Sequence, residues 1–416
     1  MVRFFTEAEC RSRRSAKWTL YDPDVLPLPV AEMDVELAPA IADALRAAVD
    51  RSDTGYPPMD GSHGDALRDF AQRRWDWQIS REAVVPTSDV GSAVVTVLEH
   101  MAGPGPVVVS PPVYPQFHAY PGLAGRGLVT VPLARAGGGR GEGTATYRLD
   151  LPALERAFAE GASAYVLCHP HNPVGLVHTR VELAELARMA REHGVLIVSD
   201  EVHAPLVFAS DVDRNVDTDV DRGSDHNAFV PFLASCPEAA EVGVAVHSPS
   251  KAWNLAGLKC AFIVAENPRL RERLAPVIDE LPWQTGIFGA LAAEAAYRRG
   301  SDWLDELNTA LVEHHALLAA ELAEHLPAAR VTPAGFGYLA WVDLAPLGWD
   351  ERPHSDPAAR PDPAEIALRR GRVALGIGPA FGEGGEGFVR VNLGTHPDTI
   401  REAVRRLAAT DRALRT

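Results

Sequence analysis

The chain reads as a doubly wound α/β domain followed by a smaller α+β module. Three observations predict this. The apolar runs at 107–110, 165–168 and 195–199 are continuous rather than alternating, as in parallel strands covered on both faces. Helical patterns lie between such runs, and strands alternating with helices give a doubly wound sheet. After Pro282 the texture changes to long alanine- and leucine-rich helical stretches with short strands. With 416 residues, 46% of them hydrophobic, the chain suffices for more than one core.

Taken in order, the spacing predicts a helix over 38–50 with Pro39 near its start, a turn at Gly55-Tyr56-Pro57-Pro58, and a helix over 64–75 with a charged face. A short strand at 84–87 leads to Ser88 or Asp89, either of which can cap a helix over 90–101. The strand at 107–110 stops at Pro111-Pro112, and another follows at 128–133. Two more strands are expected at 242–247 and 260–265. Beyond them come helices over 287–298 and 302–325, strands at 330–332, 338–344 and 388–393, and a last helix over 397–409. The division we expect is an N-terminal arm and part of the small domain at 1–50, a large α/β domain at 51–285, and a small α+β domain at 286–416. The glycine-rich 136–144 and the aspartate-rich 211–227 read as inserted, solvated loops.

Bulk properties exclude several functions. A net charge of -16 argues against nucleic acid as the main partner, because phosphate contacts need basic patches. No window is long and apolar enough to cross a bilayer, and the first eighteen residues hold no apolar core of signal-peptide length. The four cysteines are scattered without a CxxC pair, which suits reduced thiols in a cytoplasmic protein and no metal site.

The chemistry concentrates in His247-Ser248-Pro249-Ser250-Lys251-Ala252-Trp253-Asn254-Leu255-Ala256-Gly257-Leu258-Lys259. A lysine at a strand end, partly buried, has an amine that is neutral often enough to form a Schiff base with an aldehyde. Ser248 and Ser250 can hydrogen-bond a phosphate beside that amine, and Lys259 adds charge. An aldehyde cofactor with a phosphate is pyridoxal 5'-phosphate (PLP). Such a cofactor needs a carboxylate against its pyridine nitrogen, and Asp200 ends the apolar strand before Glu201-Val202-His203. It needs a polar group at its ring hydroxyl, for which Asn172 in His171-Asn172-Pro173-Val174-Gly175 is the candidate. The amides of Val90 and Gly91, at the start of a helix, can receive the phosphate, with Asp89 turned away as the cap. Tyr114 can stack on the ring, and His203 can pack over it or line the loop. Arg390, a charge inside the apolar strand Phe388-Val389-Arg390-Val391-Asn392, calls for an anion, and a substrate carboxylate suits its two-pronged donors. His169 and His171 have no acidic or cysteine partner at metal spacing and read as structural.

In this order the residues resemble the fold-type I PLP enzymes of the class I/II aminotransferase family, over nearly the whole chain. Four stretches look like its cystathionine β-lyase (C–S lyase) branch, the MalY/PatB type: Leu26-Pro27-Leu28-Pro29-Val30-Ala31-Glu32-Met33-Asp34, 171–175, 200–204, and Ser250-Lys251-Ala252-Trp253-Asn254-Leu255-Ala256-Gly257-Leu258. The resemblance implies a mostly parallel seven-stranded sheet in the large domain. It implies a homodimer in which Tyr56 reaches the phosphate of the neighbouring subunit, and it places residues around Ala31 to Asp34 at the substrate entry. Departures are His169 in place of asparagine, Asp89 in place of glycine, Pro29 in place of tryptophan, and a longer aspartate-rich segment.

The implied reaction is β-elimination from an S-substituted L-cysteine, cystathionine-like, to a thiol, pyruvate and ammonia. Lys251 would move the Cα proton, Asp200 would hold the ring charge and Arg390 the carboxylate. Transamination of an L-amino acid would use the same residues and stays open, as does a PLP-binding regulator with little turnover.

Overall fold

The computed structural model describes residues 2–137, 144–208, 229–349 and 362–415. The aspartate-rich loop expected at 211–227 lies outside the described residues, as do positions 138–143 of the glycine-rich loop. The flanks of the latter pair as a hairpin, Ala134–Ala136 with Thr146–Arg148.

Seven strands form the main sheet, in the order Val84–Thr87, Ala261–Val264, Gly243–His247, Leu196–Asp200, Ala164–Cys168, Val107–Val109, Leu128–Thr130. All seven are at positions the apolar runs predict. The sheet is mostly parallel: Ala261–Val264 alone runs against both of its neighbours. The continuous runs are buried along their length, because successive residues face opposite cores. Val107, Val109, Val166 and Val198 pack with Val94, Val97 and Leu98 of the helix Val90–Met101. Val108, Tyr165, Leu167 and Ile197 face the other way, towards Phe70, Leu183 and Leu186. The edge strand Leu128–Thr130 is shorter than the apolar run suggests and exposed at each position.

Chain order reverses direction between Val107–Val109 and Ala164–Cys168. Beyond that gap one connection leads outward to Leu128–Thr130, and the later strands add on the opposite side. Open α/β sheets bind ligands at such a switch point, outside the carboxyl ends of the strands. The register levels those ends, with Cys168 opposite Asp200 and Asp200 opposite Val246.

A second, antiparallel sheet takes Arg330–Val331, Leu339–Asp343, Phe388–Asn392 and Gly376–Ile377 in that order. Its core packs against Ser301–His325, Pro363–Gly371 and Pro397–Arg415. Among the described residues, no strand of the first sheet follows Val264 and no strand of the second precedes Arg330. The sequence reading missed the helix Pro363–Gly371 and the parallel pairing of Leu26–Pro27 with Val373–Ala374. That pairing brings the N-terminal segment against the second sheet; two-residue strands carry no periodic signal. No described helix is long and apolar enough to cross a membrane.

The helix Ile287–Arg299 passes directly beneath the turn that follows Lys251. A Cβ at Gly289 would overlap the Leu258 carbonyl oxygen and stand 2.8 Å from that of Lys259. Gly289→Ala should therefore force the helix and turn apart. The expected loss is about 2 kcal/mol, within the range for overpacked cores, read as a lower denaturation midpoint.

Candidate active site

A cavity of about 550 Å³ opens at the carboxyl ends of the parallel strands. It is lined by Ala31, Val90, Gly91, Tyr114, Asn172, Asp200, His203, Ser248, Ser250, Lys251, Lys259 and Arg390, so the structure brings together every predicted site residue but one. The exception is Tyr56. It is 78% exposed, with its ring edge-on to Trp283 at 5.4 Å, and it is not part of the cavity of its own chain.

One end of the cavity is the start of the helix Val90–Met101. Asp89 is its N-cap and accepts the Ser92 amide at 2.9 Å. The Val90 and Gly91 amides belong to the first turn, where a helix offers no internal acceptor. The second oxygen of Asp89 accepts from Lys259 Nζ at 3.2 Å, so the carboxylate that would repel an anion is already paired. Lys259 stands at φ +59°, held in the turn that closes this end. Ser248 lines this end as well. Its hydroxyl donates to the Cys260 carbonyl at 2.7 Å and accepts the Ser250 amide at 3.1 Å. Ser250 adds a second hydroxyl at the same end.

Asp200 is buried at its strand end and accepts the Val202 amide at 3.1 Å. Burial pushes its carboxyl up to about 6, against the pull of that amide and of Lys251. Lys251 Nζ donates to the Ala31 carbonyl at 3.1 Å, and burial, helped by Arg390, brings its amine down to about 8. His203 is buried beside Phe336 and held down to about 3, a neutral ring under ordinary conditions. Burial raises the Tyr114 phenol above its ordinary value.

Arg390 forms the far wall. Its strand pairs it with Trp341, its guanidinium lies 5.0 Å from the centre of the Phe381 ring, and it donates to Asn172 Oδ1 at 3.2 Å and the Pro29 carbonyl at 2.8 Å. Its Nε is buried without a partner, and among the described residues no carboxylate forms an ion pair with it. Burial lowers this group to about 10. A buried cation without a counterion is costly unless an anion arrives.

The sequence reading missed Tyr338, Asn392 and Tyr120. Tyr338 donates to the Ala31 carbonyl at 3.2 Å. Asn392 donates to the carbonyls of Val30 and Glu32 at 2.6 and 2.7 Å. A signal for Asn392 existed: two residues beyond Arg390 in one strand, it shares that residue's face. Tyr120 lines the cavity and nothing local marks it, whereas Glu32 lines it within the stretch that the resemblance places at the substrate entry. His169 and His171 are buried, with Nε2 bonded to the carbonyls of Val230 and Pro112 at 2.9 and 3.1 Å. No group of three potential metal ligands occurs among the described residues.

The raised carboxyl of Asp200 has a consequence for stability. Its native value of about 6 lies above the ordinary value of about 3.9, so the folded state binds this proton more tightly than the unfolded chain. The stability it contributes is complete below about pH 4 and is lost as pH rises through about 6. Asparagine can keep the bond to the Val202 amide without the charge. Cofactor-free Asp200→Asn should therefore be more stable than the parent protein near pH 7.5, by up to about 3 kcal/mol, and equal to it at about pH 4. Denaturant titrations at the two pH values check this.

Residues 23–407 match the aminotransferase class I and II family. A candidate cystathionine β-lyase of Mycobacterium leprae is 41% identical, over 97% of this chain and 96% of that one. The cystathionine β-lyase PatB of Bacillus subtilis is 30% identical over 93% and 92%. A crystal structure from Corynebacterium diphtheriae, described as a candidate PLP-dependent β-cystathionase, superposes with a TM-score of 0.85 at 30% identity over 99% of both chains. With this match in sequence and fold, the chain belongs to the aminotransferase class I and II family, among the relatives of its cystathionine β-lyases.

Proposed function

We propose that the protein is a PLP-dependent C–S β-lyase. Its substrate is an S-substituted L-cysteine of the cystathionine kind, which with water gives a thiol, pyruvate and ammonia. The observation that carries this reading is the convergence in one cavity of Lys251, Asp200 and an arginine without a described counterion.

The residues fit the cofactor. The Val90 and Gly91 amides, Ser250 and Lys259 suit a phosphate, and Tyr114 suits the face of a ring. Asn172 has committed its oxygen to Arg390, which leaves its amide protons for a ring hydroxyl. Asp200 has one oxygen on the Val202 amide and the other available to a protonated pyridine nitrogen, whose positive charge would return the carboxyl to its ionised form. PLP bound there supplies an aldehyde for linkage to amines and a ring that takes up the electron pair released at Cα.

Arg390 holds the substrate carboxylate, for which its free Nε and charge are suited. Lys251, already displaced downward to about 8, spends an appreciable share of its time as a neutral amine and takes the Cα proton. The Cβ–S bond then breaks with the pair leaving on sulfur. Transamination would use the same residues as far as the Cα proton; the likeness to PatB favours elimination. The exposed Tyr56, beside Trp283, supports a homodimer in which each subunit lends this tyrosine to the other's phosphate end. A cytoplasmic location belongs to the same proposal.

The PLP-loaded protein should release pyruvate and ammonia from L-cystathionine over many turnovers with no keto acid added. A single turnover restarted by a keto acid would make it an aminotransferase. Lys251→Ala should lose turnover and covalent cofactor attachment together. Arg390→Ala should raise KM about 100-fold, the worth of two charge-assisted hydrogen bonds.

A further inference from the structure

Residues 30–32 of the irregular segment 29–34 line the cavity beside Lys251 and Arg390, and the outer side of the segment is gripped by the N-terminal arm. Lys17 is fully buried. Its Nζ donates to Asp34 Oδ2 at 2.7 Å and to the Glu32 carbonyl at 3.3 Å. Trp18 Nε1 donates to the other Asp34 oxygen at 2.7 Å. Arg13 donates to the carbonyls of Met33 at 3.1 Å and Val35 at 3.4 Å, and Ser15 donates to the Glu32 carboxylate. The inner side of the same segment presents the Pro29 and Ala31 carbonyls to Arg390 and Lys251.

A buried ion pair adds little stability over an apolar pair of the same volume, because both charges must leave water. What it provides is direction. An acid whose two oxygens are claimed by different donors can sit in one orientation only, and Asp34 lies three residues from Ala31. The phosphate end of the cavity, by contrast, is built from residues 88–91, 250 and 259, none of which bonds to the arm.

We infer that Lys17 and Asp34 are positioning residues for substrate: their buried pair fixes the segment that sets Arg390 and Ala31 against the substrate carboxylate, while the phosphate end that anchors the cofactor has no bond to the arm. This rests on the reading that Arg390 binds that carboxylate.

The test uses Lys17→Met and the neutral pair Lys17→Met/Asp34→Asn in the full chain. The single variant leaves the buried Asp34 carboxylate only Trp18 and, at 3.6 Å, Arg13 as partners, and its own folding decides nothing. The double variant removes both charges and keeps an oxygen for Trp18. Two affinities are read: PLP for the cofactor-free protein, and L-alanine, which has no leaving group, for the loaded protein through its visible spectrum. We expect PLP affinity within about 2-fold of the parent and L-alanine about 10-fold weaker, with a KM for S-substituted cysteines raised alike and kcat little changed, as for a group displaced without loss of its chemistry. Unchanged L-alanine affinity in a folded double variant overturns the inference. So does a parallel loss of PLP affinity, or a failure of the double variant to fold, since either makes the pair a general structural support. If the parent protein itself ignores L-alanine, or Arg390→Ala binds it equally well, the site reading fails and takes this inference with it.

Discussion

Five consecutive carbonyls, from Pro29 to Met33, are each taken by a donor side chain, and these donors come from three distant parts of the chain. Arg390 bonds to the first, Asn392 to the second and fourth, Lys251 and Tyr338 to the third, Lys17 to the fourth, and Asn254 and Arg13 to the fifth. An irregular segment has no ladder to satisfy its backbone, and buried carbonyls must be satisfied. The solution found here makes the segment a common meeting place. The N-terminal arm, the Lys251 turn and the second sheet all bond to it, so their relative positions are fixed by one short run of backbone. Asn254 shows how tightly: at φ +58° it both accepts the Met33 amide and donates to the Met33 carbonyl.

The groups gathered at that meeting place are poor for folding. Asp200, Lys251, His203 and Arg390 are all displaced from their ordinary values chiefly by burial, each in the direction that disfavours its charged form. A protein selected for stability alone would not keep them so close. Each makes sense as half of an interaction whose other half arrives with ligand: a cation for Asp200, a carboxylate for Arg390, an aldehyde for Lys251. Perturbed groups cluster at functional sites for this reason.

What the sequence made legible follows from distance along the chain. Strand ends carry Asn172, Asp200 and Lys251, and the apolar run that forms each strand also marks where it stops. Val90 and Gly91 announce themselves by the capping residue before them. Arg390 stood out as a charge in an apolar run. Tyr338 and Lys17 did not, because each owes its place to a partner hundreds of residues away or to a segment without periodicity. A buried lysine in a four-residue helix looks in sequence like any surface lysine. Ser248 has a second partner that its local sequence does not show. It sits where a phosphate ligand would, but the strand Ala261–Val264 returns antiparallel beside it and brings the Cys260 carbonyl within reach of its proton.

The same contrast separates the two ends of the cavity. The cofactor end is assembled from short stretches immediately after strands of one sheet, so its geometry is inherited from that sheet. The substrate end is assembled from the arm, the 29–34 segment and the second sheet, which share no strand with the first. The two groups meet where Lys251 and Asn254 bond to the 29–34 segment and where Arg390 bonds to Asn172, so a change in the second group leaves the phosphate end in place. The departures carried by this chain divide in the same way. Asp89, at the cofactor end, is neutralised by Lys259 and leaves the cradle intact. Pro29, at the substrate end, keeps its carbonyl on Arg390, and the Phe381 ring lies beside the same guanidinium. Substrate preference is thus where this chain has most freedom to differ from its relatives.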